Sequence, residues 1–124
     1  MTTKTILYVE DNEFNRKLVR DLLARTSYRL LEAVDGETGV AVAQRERPDL
    51  IIMDIQLPRM SGLEATRVLR ADPVTAQTPI IVITSFAFSG DDQKAKEAGA
   101  SQYLAKPYSP RELLETIRRL VPEG

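Results

Sequence analysis

Hydrophobic residues along this chain alternate between short continuous runs and longer stretches in which they recur at helical spacing. The short runs cover residues 5–9, 28–34, 50–53, 80–83 and 103–105. Between and after them, apolar residues recur every three or four positions, which is typical of helices that bury one face. The pattern therefore predicts five strands alternating with five helices.

Capping residues indicate where the predicted helices begin and end. Asn12 is placed to cap the first helix over residues 13–25, and Ser61 opens the third helix with a capping-box sequence. Pro48 stops the second helix, and Gly99 fits the end of the fourth. Ser109 precedes a proline at the first helical position of the fifth helix. These signals separate the ten elements clearly.

Five strands joined through helices predict a parallel sheet, because each connection is long enough for a right-handed crossover. We expect one α/β domain over residues 1–124 with a doubly wound, flavodoxin-like sheet in the order 2-1-3-4-5 and helices on both faces. A closed barrel needs eight such units, so the length excludes it. Ligands of doubly wound sheets bind outside the carboxyl ends of the strands.

Composition removes several kinds of chemistry. The chain has neither cysteine nor histidine, which excludes disulfides, zinc sites built on these residues and imidazole triads. Its 17 basic and 18 acidic residues leave a net charge of -1, so a nucleic-acid interface is not expected. No apolar run approaches the ~20 residues of a membrane span, and no signal peptide is recognisable at the start. We expect a cytoplasmic protein that neither enters a membrane nor binds nucleic acid.

Polar residues with reactive side chains follow the predicted strands. Glu10 and Asp11 follow the first strand, Asp54 and Thr84 close the third and fourth, and Lys106 follows the fifth. Because the carboxyl ends of parallel strands meet at one edge of the sheet, we expect these side chains to lie close together.

Three carboxylates in one place repel one another unless a cation shares the site. Lys106 supplies one positive charge, and the remaining deficit suits Mg²⁺, which prefers oxygen ligands and exchanges its waters for phosphate oxygens. We predict that Asp54 accepts a phosphoryl group, that Asp11 binds the metal directly and that Glu10 acts through a metal-bound water. Lys106 and Thr84 can then contact phosphoryl oxygens.

Four stretches of the chain together resemble a receiver domain of the response regulators of bacterial two-component signalling. They are Ile-Leu-Tyr-Val-Glu-Asp-Asn at 6–12, Met-Asp-Ile-Gln-Leu-Pro at 53–58 with Met-Ser-Gly-Leu-Glu at 60–64, Ile-Thr-Ser at 83–85, and Tyr-Leu-Ala-Lys-Pro at 103–107. The segment 9–69 is especially similar to single-domain regulators of the DivK type, which act in cell-cycle phosphorelays. The resemblance covers essentially the whole chain.

This resemblance implies a phosphorylation switch rather than an enzyme, with at most self-phosphorylation from small donors and autodephosphorylation. It implies that a histidine kinase or histidine phosphotransfer protein phosphorylates Asp54. Mg²⁺ would be held by Asp11, Asp54 and the main-chain carbonyl of Gln56, and the Lys106-Pro107 bond would be cis. On phosphorylation Thr84 would move toward the phosphoryl group and Tyr103 would swing inward.

The resemblance also implies where partners bind. The donor protein would dock at the exposed edge of the first helix, near Phe14 and Leu18. A downstream protein would bind the face formed by the fourth helix, fifth strand and fifth helix, where Phe86, Phe88 and Tyr108 either form a shared patch or cover the core. We expect a monomer or weak dimer, acting alone because the last predicted helix ends close to Gly124.

Three positions depart from the family pattern. Ser85 follows the switch threonine where alanine or glycine is usual, and bulky Phe86 comes next, so access of phosphodonors or water could differ. Gln56 stands two residues beyond the predicted acceptor, where its side chain either orients water or shields the phosphoryl group.

Other interpretations stay open. The chain could be a receiver segment of a hybrid histidine kinase or of a longer regulator. A small Mg²⁺-dependent phosphatase with an aspartyl-phosphate intermediate is a second class, but such enzymes usually carry a second aspartate where Gln56 stands. A flavin-binding protein of the same fold is a third, although Glu10 and Asp11 would repel a phosphate without a metal. Individually, Lys106 could be a structural counter-ion and Tyr103 a packing residue.

Overall fold

The computed structural model describes residues 3–84 and 90–123 of the chain. It contains the alternating elements that the sequence predicts, in the order β1 (Thr5–Val9), α1 (Glu13–Leu23), β2 (Arg29–Ala33), α2 (Gly36–Glu46), β3 (Leu50–Asp54), α3 (Gly62–Ala71), β4 (Ile80–Thr84), α4 (Asp91–Ala98), β5 (Gln102–Ala105) and α5 (Pro110–Leu120). Within the described ranges, no helix has the length and apolar content needed to cross a bilayer. The expectations for Ser85, Phe86 and Phe88 concern residues outside these ranges.

The five strands form one parallel sheet in the order β2-β1-β3-β4-β5, which confirms the predicted topology. The order reverses at β1 and β3, which are neighbours and lead to α1 and α3. Each of β1, β3 and β4 lies between two other strands and is buried along nearly its whole length. Continuous apolar runs are typical of such strands, because both of their faces are covered.

Alternation along the strands divides the core into two clusters, one on each face of the sheet. One cluster joins the sheet to α2, α3 and α4 and includes Val9, Met53 and Val82. The other joins it to α1 and α5 and includes Tyr8 and Ile52. The face of the sheet toward which a strand side chain points therefore determines which helices it contacts.

The predicted caps are present at the helix ends. Asn12 accepts a hydrogen bond from the amide of Asn15, and Ser61 accepts one from the amide of Glu64. Ser109 forms a complete capping box at α5. These bonds satisfy amides that lack helical partners and fix where each helix leaves the sheet edge.

Candidate functional site

The strand register brings Glu10, Asp54 and Lys106 to one end of the sheet. The residues before Glu10 and Asp54 pair with each other across β1 and β3, so these two acids leave neighbouring strands at the same height. Lys106 follows the last residue of β5, which pairs with Thr84 of β4. Each of the three charged residues stands two positions beyond a side chain packed against α1 and α5, so alternation sends all three toward that face.

Lys106 is the contact that these two acids share. Its Nζ lies 2.8 Å from Oδ2 of Asp54 and 3.4 Å from Oε1 of Glu10. Both acidic side chains are only 2% exposed, whereas the lysine side chain is 23% exposed. Burial alone would lower the pKa of Lys106, but the hydrogen bond and charge of Asp54, together with Glu10, raise it above its ordinary value. The lysine is therefore cationic at neutral pH.

Asp54 is held through both of its carboxylate oxygens. Oδ1 accepts a hydrogen bond of 2.7 Å from the backbone amide of Gln56, and Oδ2 accepts the bond from Lys106. A carboxylate fixed at both oxygens has little freedom to rotate. The side chain predicted to be the phosphoacceptor is thus preoriented at the end of β3.

Besides the predicted contact with Lys106, Glu10 is held by three residues without an expected role in the site, Tyr8, Asn15 and Arg16. Besides Lys106, its Oε1 accepts hydrogen bonds from Asn15 Nδ2 at 2.9 Å and from the Tyr8 hydroxyl at 3.3 Å. Its backbone carbonyl accepts a bond of 2.8 Å from Arg16 Nη1. No unambiguous sequence signal indicated Tyr8, because the same apolar strand also contains the hydroxyl-bearing Thr5.

Asp11 is the exposed member of the acidic group. Desolvation and the neighbouring Glu10 carboxylate raise its pKa, while its own backbone and Lys106 act in the opposite direction. Desolvation is the larger cause, and the Glu10 contribution reflects negative charge close to Asp11. A cation placed there would relieve this repulsion.

The oxygen donors at this edge suit Mg²⁺. Among residues 3–84 and 90–123, no three acidic side chains are arranged to hold a metal ion. Mg²⁺ does not require three, because proteins usually bind it through one or two carboxylates while it keeps several waters. Asp11, Asp54 and the Gln56 carbonyl supply the predicted direct ligands, and buried Glu10 remains for a contact through water. These residues fit the ion.

The two predicted switch residues lie toward the opposite face of the sheet. Thr84 is fully buried at the end of β4, and its hydroxyl accepts a hydrogen bond of 2.9 Å from Gln56 Nε2. Tyr103 is half-buried and packs on the core cluster shared by α2, α3 and α4. Gln56 therefore connects the two sides of the site, since its amide binds Asp54 and its side chain binds Thr84.

The chain beyond β5 forms one wall of a groove. The Lys106-Pro107 bond is cis, which confirms that part of the resemblance. The groove has a volume of about 740 Å³ and runs between α1 and the segment that links β5 to α5, with Leu18 and Tyr108 on opposite walls. Phe14 and Leu18 are 68% and 54% exposed, as expected for the free edge of α1.

The start of α3 is pressed against the backbone of Asp54. A Cβ added at Gly62 would overlap the carbonyl oxygen of Asp54 and lie 2.9 Å from the Cα of Ile55. The Gly62 amide donates to the Ile55 carbonyl at 3.0 Å. Gly62 thus permits a close approach that fixes the height of α3 relative to Asp54.

Comparisons with known proteins agree with this geometry. Residues 6–118 match the family model described as the response regulator receiver domain. The polar-differentiation response regulator DivK of Brucella anthropi is 42% identical over 115 residues, which are 93% of this chain and 94% of that protein. DivK of Brucella ovis is 41% identical over 116 residues, or 94% of each chain.

Two solved structures show the same fold. The receiver domain of a sensor histidine kinase from Pseudomonas aeruginosa, with a magnesium ion coordinated in its active site cleft, is 38% identical and has a TM-score of 0.89 over 96% of this chain and 98% of that one. The chemotaxis protein CheY4 of Vibrio cholerae is 32% identical, with a TM-score of 0.90 over 97% and 100% of the two chains.

Replacing Gly62 by alanine should strain the backbone at Asp54. The clash involves main-chain atoms, which cannot rotate away, so we expect Gly62→Ala to lose about 1–3 kcal/mol of unfolding free energy in urea titrations. Arg67→Ala changes an exposed position of the same helix outside its cap and should stay within about 0.5 kcal/mol of wild type. Equal stability of the two variants would show that α3 can shift without cost.

Proposed function

Because the chain belongs to the receiver domain family of two-component response regulators, we propose that it is a phosphorylation-dependent switch whose phosphoacceptor is Asp54. The observation that carries the proposal is the state of the Asp54 carboxylate. It is buried at the end of β3, oriented through both oxygens and paired with a cationic Lys106. Residues 1–124 then act as one receiver domain.

Asp54 would act as the nucleophile. One carboxylate oxygen attacks phosphorus in a phosphohistidine of the donor protein, an O–P bond forms, and the P–N bond breaks as the imidazole leaves and takes up a proton. The bond from the Gln56 amide keeps the carboxylate turned toward the donor. Positioning of this kind supplies much of the acceleration in phosphoryl transfer.

The charge that spreads over the phosphoryl oxygens needs stabilising groups. The Lys106 ammonium already lies 2.8 Å from Asp54, so it remains beside the group once that group is attached. Mg²⁺ bound by Asp11, Asp54 and the Gln56 carbonyl, with Glu10 through a water, would supply further positive charge. The similar receiver domain with magnesium in its cleft supports this assignment.

Thr84 and Tyr103 would convert phosphorylation into a change of surface. The Thr84 hydroxyl leaves Gln56 and turns to a phosphoryl oxygen, and Tyr103 moves inward into the space beside it. A hollow of about 480 Å³ at α4 and β5, which Tyr103 borders, supports a change of shape there. The face formed by α4, β5 and α5 would then bind a downstream protein.

The groove between α1 and α5 would receive the phosphodonor. A histidine kinase or histidine phosphotransfer protein must bring its imidazole to Asp54, and this groove opens beside Lys106. Its walls combine apolar Leu18 and Pro107 with the charges of Asp21 and Arg25. An apolar centre with a charged rim is typical of protein interfaces.

The site suits single transfers better than repeated hydrolysis. Receiver domains generally act as phosphoacceptor switches rather than as enzymes with turnover. Gln56 occupies the place where hydrolases with an aspartyl-phosphate carry an acid and base, and its amide group is engaged by Thr84. The same chemistry would serve an isolated regulator or a receiver within a longer sensor kinase, since relatives of both kinds are similar to this chain.

Asp54→Asn should abolish phosphorylation while keeping the fold, because the amide oxygen is a poor nucleophile and the change removes one charge from a repulsive group. Intact-mass spectrometry after incubation with acetyl phosphate should show one labile phosphoryl adduct on wild type with Mg²⁺, and none after chelation or on the variant. Asp72→Asn, at the end of α3, should be labelled like wild type. A phosphoryl adduct on Asp54→Asn under these conditions would rule out Asp54 as acceptor.

Leu18→Glu should impair labelling by a protein donor but not by acetyl phosphate, because it places a charge in the apolar wall of the groove. We expect about a thirtyfold or greater loss of transfer rate, as at the centre of an interface. The protein donor is chosen from a panel of purified, autophosphorylated histidine kinases as the one that labels wild type fastest. Val68→Glu, an exposed position on α3, serves as the control, and similar losses in both variants would refute the groove as the docking site.

A further inference from the structure

Tyr8 is a buried tyrosine whose hydroxyl lies next to the acidic group. It belongs to β1, is 1% exposed, and its ring packs in the core cluster of α1 and α5. The neighbouring positions of the strand are filled by aliphatic side chains, so an apolar ring would satisfy the packing equally well. The hydroxyl adds one feature to this position, a hydrogen bond to Oε1 of Glu10 at 3.3 Å.

Three elements hold the same oxygen of Glu10. Tyr8 donates from β1, Asn15 from α1 and Lys106 from the end of β5. Three donors saturate one carboxylate oxygen, and the Glu10 carboxylate also interacts with Asp11. Among the three donors, Tyr8 is the most deeply buried one, so its position changes least when solvent or a partner alters the surface.

The side chains around Glu10 also reach the groove between α1 and the start of α5. Tyr108 packs on the same core cluster as Tyr8. Because a carboxylate only accepts, the Tyr8 proton is directed at Glu10. Asn15 and Lys106, which both donate to Glu10, line this groove together with Tyr108.

We propose that Tyr8 is a positioning residue, because its hydroxyl holds the Glu10 carboxylate in the orientation needed for Mg²⁺ binding. The proposal rests on the function proposed above, because it deepens the role of Glu10 in the same site. When neighbouring groups already orient a metal ligand or its bound water, less order has to be imposed when the ion binds. Removal of such contacts therefore weakens metal binding. Tyr8 acts through Glu10 and contacts neither the ion nor the phosphoryl group.

The test is a Mg²⁺ titration by calorimetry without any phosphodonor. Tyr8→Phe removes one hydroxyl and should weaken Mg²⁺ binding about tenfold, the lower end of the range for groups that support metal ligands. The control is Tyr28→Phe, because Tyr28 is buried in the same core cluster and donates instead to the Val121 carbonyl. Tyr28→Phe should lower the melting temperature and leave Mg²⁺ affinity unchanged.

A double-mutant cycle separates positioning from a general loss of packing. In a Glu10→Ala background the Tyr8 hydroxyl has no carboxylate to hold, so Tyr8→Phe should change Mg²⁺ affinity no further. The same tenfold loss in that background would overturn the proposed route through Glu10. Circular dichroism establishes that each variant is folded before titration.

The outcomes for the two proposals differ. Wild-type affinity in Tyr8→Phe overturns the positioning role and leaves the phosphorylation switch intact, provided that wild type binds Mg²⁺ and is labelled. Equal losses of Mg²⁺ affinity in Tyr8→Phe and Tyr28→Phe also overturn the positioning role, since a hydroxyl that does not contact Glu10 would then affect Mg²⁺ binding as much as that of Tyr8. A wild-type chain that binds no Mg²⁺ would contradict the proposed function and this inference together.

Discussion

The ion pair between Lys106 and Asp54 is the interaction on which the arrangement of the site depends. The two residues are not on neighbouring strands, because β4 lies between β3 and β5. Two strand spacings are about 10 Å, so only a long side chain can cross the end of β4. The Lys106 amide is held by the Thr84 carbonyl at 2.7 Å, which fixes where that side chain starts. A register shift of one residue on β5 would send the ammonium group to the other face.

Strand alternation gives the two faces of the sheet different tasks in the proposed switch. Glu10, Asp54 and Lys106 point toward α1 and α5, where the groove opens, whereas Thr84 and Tyr103 belong with the core of α3 and α4. Donor binding and output can thus use separate surfaces of one small domain. The Gln56 side chain and amide join the two faces, so an event at Asp54 has a direct route to Thr84.

Sequence patterns were sufficient for the fold and for the location of the site. Apolar runs, caps and crossover lengths predict the sheet order, and polar residues at strand ends place Glu10 and Asp54 together. The contacts made by Tyr8, Asn15 and Arg16 were not predictable, because they depend on how closely α1 approaches β1 and on side-chain rotamers rather than on periodicity. The close approach of α3 to Asp54 was missed for the same reason, since a glycine in a capping sequence does not indicate which backbone it touches.

The most direct test of the central claim is chemical trapping of the phosphorylated residue. Borohydride reduces an aspartyl phosphate to homoserine, so peptide mass spectrometry after phosphorylation and reduction identifies the acceptor by its position in the chain. The account predicts homoserine at position 54 and aspartate at every other aspartate position, including Asp11. Homoserine at another position, or none after stoichiometric labelling, would contradict the claim that the carboxylate held by Lys106 and Gln56 is the phosphoacceptor.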